Sequence, residues 1–238
     1  MIHPRAAEAS ENPKRKIELM NKVQVSARIE ELGIIPGIRV TRPDRARFAA
    51  EAVNRAGIPI VEITMTVPGA IDVISFLAKA HPEMVVGAGT VLDIDTARRC
   101  LDAGATFLTS TGLVMEVVEF ALQNDVVVFP GAITPTEVIA AWKTGADFVK
   151  IYPCGPMGGP SYIQTLKLPF PQVRLIATGG VNQKTAGNFI LAGATALGIG
   201  SELINPEGLP EMKEEQIQEL ARRYLGIVKA ARAQKNAR

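Results

Sequence analysis

The chain has 238 residues, 47% of them hydrophobic, and a formal charge of +2. That length fits one large α/β domain or two small ones, with apolar material for a substantial core. So small a charge, with no basic stripe interleaved with aromatics, argues against a nucleic-acid binder.

The two cysteines, Cys100 and Cys154, have neither metal nor disulfide spacing, which fits a reducing compartment. The only histidines are His3 and His81. That argues against a Ser-His-Asp hydrolase and against a zinc site built on several histidines. The opening residues are polar and mixed in charge, and no apolar run reaches membrane-spanning length. A cytoplasmic protein is expected, with residues 1–12 as a flexible tail and 13–238 as a single domain.

A helix is predicted over about 13–32. Short β-rich runs then recur at roughly 20–26-residue intervals, each followed by a helical pattern, at 34–40, 58–65, 84–90, 106–110, 126–129, 148–152, 173–178 and 196–200. Eight such units predict a closed (β/α)8 TIM barrel with an extra N-terminal helix. An open doubly wound sheet has less support, because no Gly-x-Gly-x-x-Gly follows the first strand.

Strand side chains alternate between the barrel interior and the helix layer, and active sites gather at the strands' C-terminal ends. In the first run this sends Ile35, Gly37 and Arg39 inward. In the second, Val61, Ile63 and Met65 suit the helix layer, so Ile60, Glu62, Thr64 and Thr66 face inward. Ile71, Ile74 and Leu77 then share one helical face. In the third run Val86, Ala88 and Thr90 are expected inward. Leu113, Val114, Val117, Val118, Ala121 and Leu122 form the next amphipathic stretch, and Gly104, Gly145 and Gly193 stand where left-handed C-caps are wanted. The last helix carries Met212, Ile217, Leu220, Tyr224 and Val228 at helical spacing.

The sixth run, Asp147-Phe148-Val149-Lys150-Ile151-Tyr152-Pro153, puts Phe148, Lys150 and Tyr152 on one face. A lysine in such a run either snorkels to water or sits in a dry site, where an amine's charged form is disfavoured and its lone pair is freed for attack. Arg39, Glu62, Thr90 and Lys150 thus converge late in four strands. Charges so clustered are costly unless paired or used. The alternative is an ion-pair network that only fixes the barrel's register. Arg174 is placed at the closed end.

After the seventh run comes Thr178-Gly179-Gly180-Val181-Asn182, and after the eighth Gly198-Ile199-Gly200-Ser201. Glycine loops let backbone N–H groups approach an anion, and these two positions are the recurrent phosphate site of such barrels. No Walker-type motif is present, so a sugar phosphate or similar small anion is expected rather than a nucleotide.

As an ordered set these motifs, with Gly87-Ala88-Gly89-Thr90-Val91, Phe129-Pro130-Gly131, Thr134-Pro135-Thr136-Glu137 and Gly159-Pro160, resemble the bacterial 2-keto-3-deoxy-6-phosphogluconate (KDPG) / 4-hydroxy-2-oxoglutarate (KHG) aldolase family. The resemblance implies a metal-free, cofactor-free class I aldolase. It would cleave KDPG to pyruvate and glyceraldehyde 3-phosphate, with 4-hydroxy-2-oxoglutarate, split to pyruvate and glyoxylate, as a further substrate. It implies a homotrimer whose partner is a small 2-keto acid, without nucleic acid or membrane. It makes Lys150 the Schiff-base lysine and Glu62 the proton shuttle. Arg39 and Thr90 fall at the pyruvyl end, and Thr178, Gly179, Gly180, Gly200 and Ser201 at the phosphate. Tyr152 and Phe148 would wall the iminium. Thr66 stands where some members hold substrate with an arginine, Thr111 where many have proline, and Glu202 where some have a small hydroxyl residue. Three alternatives stand beside this: the epimeric 2-keto-3-deoxy-6-phosphogalactonate as substrate, a sugar-phosphate isomerase, epimerase or synthase, and a non-catalytic barrel.

Overall fold

The computed structural model describes residues 20–205 and 213–237. The expected tail, His3, Met212 and the start of the predicted N-terminal helix lie outside the described residues. In chain order the elements are α1 (Lys22–Leu32), β1 (Ile34–Ile38), α2 (Pro43–Arg55), β2 (Ile60–Thr64), α3 (Ala70–Ala80), β3 (Val85–Gly89), α4 (Ile94–Asp102), β4 (Phe107–Thr109) and α5 (Met115–Gln123). They continue as β5 (Val127–Phe129), β6 (Gly131–Ala132), α6 (Pro135–Lys143), β7 (Val149–Ile151), a 3-10 turn (Gly155–Met157), α7 (Pro160–Lys167), β8 (Leu175–Thr178), α8 (Ala186–Leu191), β9 (Ala196–Ile199) and α9 (Glu214–Asn236).

All strand pairs are parallel, in the order β5-β4-β3-β2-β1-β9-β8-β7-β6. The two edge segments are halves of one strand, interrupted at Pro130. Proline has no N–H to give the ladder, yet the Pro130 carbonyl accepts from Lys150 N–H at 2.9 Å. Below the break β5 pairs with β4, and above it β6 pairs with β7, which carries the ring round. The nine segments are therefore the eight predicted strands of an α/β barrel.

Of the helix predicted over about 13–32, the described part is α1, which begins at Lys22. Asn21 closes a capping box there: its side chain accepts from Gln24 N–H and the Gln24 side chain accepts from Asn21 N–H, each at 3.0 Å. Such reciprocal caps hold residue 21 extended and set the first helical turn after it. Gly104, Gly145 and Gly193 adopt φ of 100°, 86° and 106°, as their positions past helix ends require.

Two apolar clusters divide the core. One, between strands and outer helices, includes Ile34, Ile38, Val61, Ile63, Val86, Ala88, Val149 and Ile151. The other fills the barrel axis with Ile35, Ile60, Val85, Phe107, Val127, Phe129, Phe148, Ile176 and Ala196, and is plugged from below by Val25 and Ile29 of α1. Full burial of each plug residue contributes about 1.5–3 kcal/mol. Arg174 holds α1 in place: its guanidinium donates to Glu30 Oε1 at 2.6 Å and lies over the Phe148 ring at 4.6 Å. Phe148, expected to wall the site, belongs instead to this floor, edge-on to Phe129.

One expectation is corrected at β3. Val86 and Ala88 pack into the helix layer, while Val85, Gly87 and Gly89 take the interior positions. Gly87 pairs with Glu62, which fixes its face, and a Cβ there would stand 2.1 Å from the Phe107 ring. With glycine at two inward positions, alternation in the sequence had no side chains to reveal it.

On the outside, α9 packs against α2 and α8 through Ile217, Ala221, Tyr224 and Val228. The Tyr224 hydroxyl is buried without a hydrogen-bond partner among the described residues, and burial, with Glu202 adding to it, pushes it up to about 12. An unsatisfied buried hydroxyl costs stability, so Tyr224→Phe is expected to leave the protein equally stable or more stable by about 1–2 kcal/mol. Equilibrium denaturation checks this; a loss above about 1 kcal/mol would show that the hydroxyl is bonded. No helix among the described residues is long and apolar enough to cross a membrane.

Candidate active site

Above the apolar floor the interior residues become small or polar. A cavity of about 260 Å³ opens there, lined by residues from β1, β2, β7, β8 and β9 and the loops that follow them, and by Thr111 after β4. Large side chains fill the lower layer, and Gly37 and Gly198 at lining positions of the upper one leave the space.

Lys150 lies at the centre of this site, 4% exposed, and Glu62 is 6% exposed. The Lys150 Nζ stands 3.7 Å from Glu62 Oε2. Register explains the meeting. Gly37 pairs with Glu62, and Gly131 pairs with Lys150, so each charged residue has a neighbour without a side chain. Gly89 is the tightest of these allowances. A Cβ there would stand 1.9 Å from Glu62 Oε1 and 2.4 Å from its Cδ. Glycine within a strand marks such close approaches. The sequence carried that signal, but nothing in it pointed to the partner.

Gly89→Ala is expected to displace the Glu62 carboxylate, destabilising the fold by about 1–3 kcal/mol through overpacking and slowing turnover. Chemical denaturation with steady-state kinetics checks this; wild-type values for both would show that the carboxylate does not rest against Gly89.

Of the other predicted residues, Arg39, Tyr152, Thr178, Gly179, Gly180, Gly200 and Ser201 all line the cavity with Lys150 and Glu62. Thr64, Thr111, Gly37, Gly198 and Glu202 join them. Thr66 and Thr90 do not. Thr66 is exposed, its hydroxyl 2.8 Å from that of Thr64, which itself donates to the Ile38 carbonyl at 3.1 Å. Thr90 follows the last residue of β3 with φ of 59°, so strand alternation no longer governs its side chain. Its hydroxyl is buried without a hydrogen-bond partner among the described residues.

Arg39 is exposed at the mouth and has no ion-pair partner among the described residues. Where the segments following β7 and β8 meet, Gly155 and Gly180 approach so closely that a Cβ on Gly180 would stand 2.6 Å from the Gly155 Cα. Thr178 Oγ1 is buried beside these glycines with no hydrogen-bond partner among the described residues. Cys154, near Lys150 in sequence, is fully buried and outside the cavity lining, and burial pushes its thiol up to about 11. It is therefore protonated and inert at neutral pH. Cys100 is packed in α4 and pushed up to about 12.

An enclosed amine facing a carboxylate beside an open cavity is arranged for covalent chemistry on a carbonyl compound. The family pattern of KDPG and KHG aldolases matches residues 25–221. The chain belongs to that family. Members of the KDPG and KHG aldolase family are carbon–carbon lyases, and this protein is an aldolase. It is 30% identical to the 2-dehydro-3-deoxy-phosphogluconate aldolase of Pseudomonas aeruginosa, over 86% of this chain and 95% of that one. It is also 30% identical to the KHG/KDPG aldolase of Escherichia coli K12, over 79% and 89%. Among solved structures, KDPG aldolase from Legionella pneumophila, with pyruvate captured as a covalent carbinolamine intermediate, superimposes with a TM-score of 0.77 at 28% identity, covering 84% of this chain and 97% of that one.

Proposed function

We propose that this aldolase acts through a Schiff base at Lys150 and cleaves KDPG reversibly to pyruvate and glyceraldehyde 3-phosphate, with 4-hydroxy-2-oxoglutarate as a second substrate. The observation that carries the proposal is the 3.7 Å approach of a buried Lys150 amine to the Glu62 carboxylate beside the cavity. The relatives' names and the carbinolamine of the Legionella enzyme support the substrate class.

In this mechanism the Lys150 amine adds to the C2 carbonyl, and loss of water leaves an iminium ion, an electron sink. Glu62, directly or through a water, takes the proton of the C4 hydroxyl. The C3–C4 electron pair flows to the iminium nitrogen, which releases the aldehyde and leaves an enamine. Glu62 returns its proton to C3, and hydrolysis of the resulting iminium frees pyruvate and the amine. One carboxylate serves as base and then as acid because the two steps alternate its protonation.

Arg39 offers its free guanidinium to the substrate carboxylate, and Tyr152 walls the iminium. Thr178, Gly179, Gly180, Gly200 and Ser201 receive the far end of the substrate. We assign no substrate contact to Thr66, and to Thr90 a hydroxyl in need of a partner. No metal or cofactor takes part in this scheme. Large exposed apolar side chains, including Phe76, Leu92 and Met115, support a subunit-covered surface, and the homotrimer is proposed on the family resemblance. The proposed compartment is the cytoplasm, and the two cysteines without disulfide spacing support it.

Borohydride added with pyruvate is expected to fix a pyruvyl adduct on Lys150, located by peptide mass mapping. An adduct on another lysine, or none, overturns the Schiff-base assignment.

A further inference from the structure

The glycines that line the cavity are Gly37, Gly179, Gly180, Gly198 and Gly200. All but the first have a reason to be glycine. Gly179 and Gly180 adopt φ of 81° and 87°, which residues with side chains rarely do. The room beside Gly198 is taken by Thr178, whose Oγ1 would stand 2.3 Å from a Cβ there. Gly200 belongs to a loop whose bare backbone is offered to the far end of the substrate.

Gly37 has none of these reasons. It lies within β1 and its φ is not positive. A Cβ there would meet only the Ile199 carbonyl oxygen, at 3.9 Å, among the described residues. The inward glycines of β3 and β6 are different. The Phe107 ring fills the vacancy at Gly87, the Glu62 carboxylate that at Gly89, and the Thr111 backbone that at Gly131. Glycine weakens a strand, and where no neighbour uses the space it marks the close approach of a ligand.

The notch at Gly37 has a defined place. Gly37 pairs with Glu62 across the β1–β2 ladder, and adjacent strands lie about 4.8 Å apart. The vacancy therefore flanks the carboxylate that takes the C4 hydroxyl proton in the mechanism above. Two residues earlier on the same face of β1, Ile35 gives it an apolar floor.

We propose that Gly37 is a specificity-determining residue whose notch receives a second carbon substituent on C4. The enzyme then also cleaves 4-hydroxy-2-oxo acids in which C4 is a tertiary alcohol. This rests on the aldolase reading above and extends it to a further substrate class. The C4 hydroxyl proton passes to Glu62 and the C3–C4 electron pair to the iminium. C4 leaves as the carbonyl of a ketone instead of an aldehyde, and C3 takes the proton back.

The test compares kcat/KM for 4-hydroxy-2-oxoglutarate and for its 4-methyl derivative, which differ by one methyl group on C4. The wild type is expected to split the methylated compound into two molecules of pyruvate, with kcat/KM within about tenfold of the unmethylated one. Gly37→Val should lower the ratio of the methylated to the unmethylated value about 10–200-fold, and Gly37→Ala should lower it less. The alanine Cβ meets open space, so that variant should unfold no more readily than the wild type and decides the matter if the valine variant fails to fold. A wild type that cleaves only the unmethylated compound overturns the notch. So does an unchanged ratio in the variants, or a fall of both values in equal proportion. Cleavage of neither compound by the wild type, with no pyruvyl adduct trapped on Lys150, overturns the aldolase reading itself.

Discussion

Lys150→Ala is expected to lose on the order of 10^4-fold or more in kcat for pyruvate release, and to form no borohydride-stable adduct with pyruvate. The amine is the only group in the scheme that can hold the substrate covalently, and without the iminium the C3–C4 electron pair has nowhere to go. The alanine variant also leaves Glu62 buried with no cation opposite, which costs about 3–5 kcal/mol, so lost activity in that variant does not by itself distinguish lost chemistry from lost fold. Lys150→Arg separates the two effects. It keeps a cation near Glu62, but a guanidinium that stays protonated cannot form an imine. The arginine variant should fold, as judged by its unfolding midpoint, and still be inactive. A folded Lys150→Arg protein that turns over at a rate near wild type would end the covalent mechanism.

Glu62→Gln should separate bond formation from proton movement. The amide is nearly isosteric and fits against Gly89 as the carboxylate does, but it cannot take and return a proton. Pyruvate should still be trapped on Lys150, whereas exchange of its methyl protons with deuterated solvent should slow by about 10²–10⁴-fold. Proton NMR of pyruvate follows that exchange directly. Exchange at the wild-type rate would assign the shuttle to another group, and loss of trapping would mean that Glu62 acts earlier, in forming the iminium.

How far the site could be read beforehand depended on what each strand carries. In β2 and β7, polar residues alternate with β-branched or apolar ones, so the inward face of Glu62 and Lys150 was legible and both clusters agree with it. In β3, Gly87 and Gly89 hold the inward positions, and the apolar Val86 and Ala88 suit either face. The left-handed turn at Thr90 then breaks the periodicity where a site residue was sought. Phe148 shares a face with Lys150, yet it lies one layer lower, in the floor.

The sequence by itself determined the βα rhythm, the two glycine loops, the family motifs and the faces of Glu62 and Lys150. All of these are local, because alternation, capping and turn chemistry act over a few residues. Only the tertiary structure decided which residues share a layer. It brought Lys150 within 3.7 Å of Glu62, emptied Gly89 for that carboxylate, set Glu202 in the same cavity as Arg39, and split the fifth strand at Pro130. Those pairings depend on the stagger between strands far apart in the chain, and the stagger is set when the sheet closes on itself.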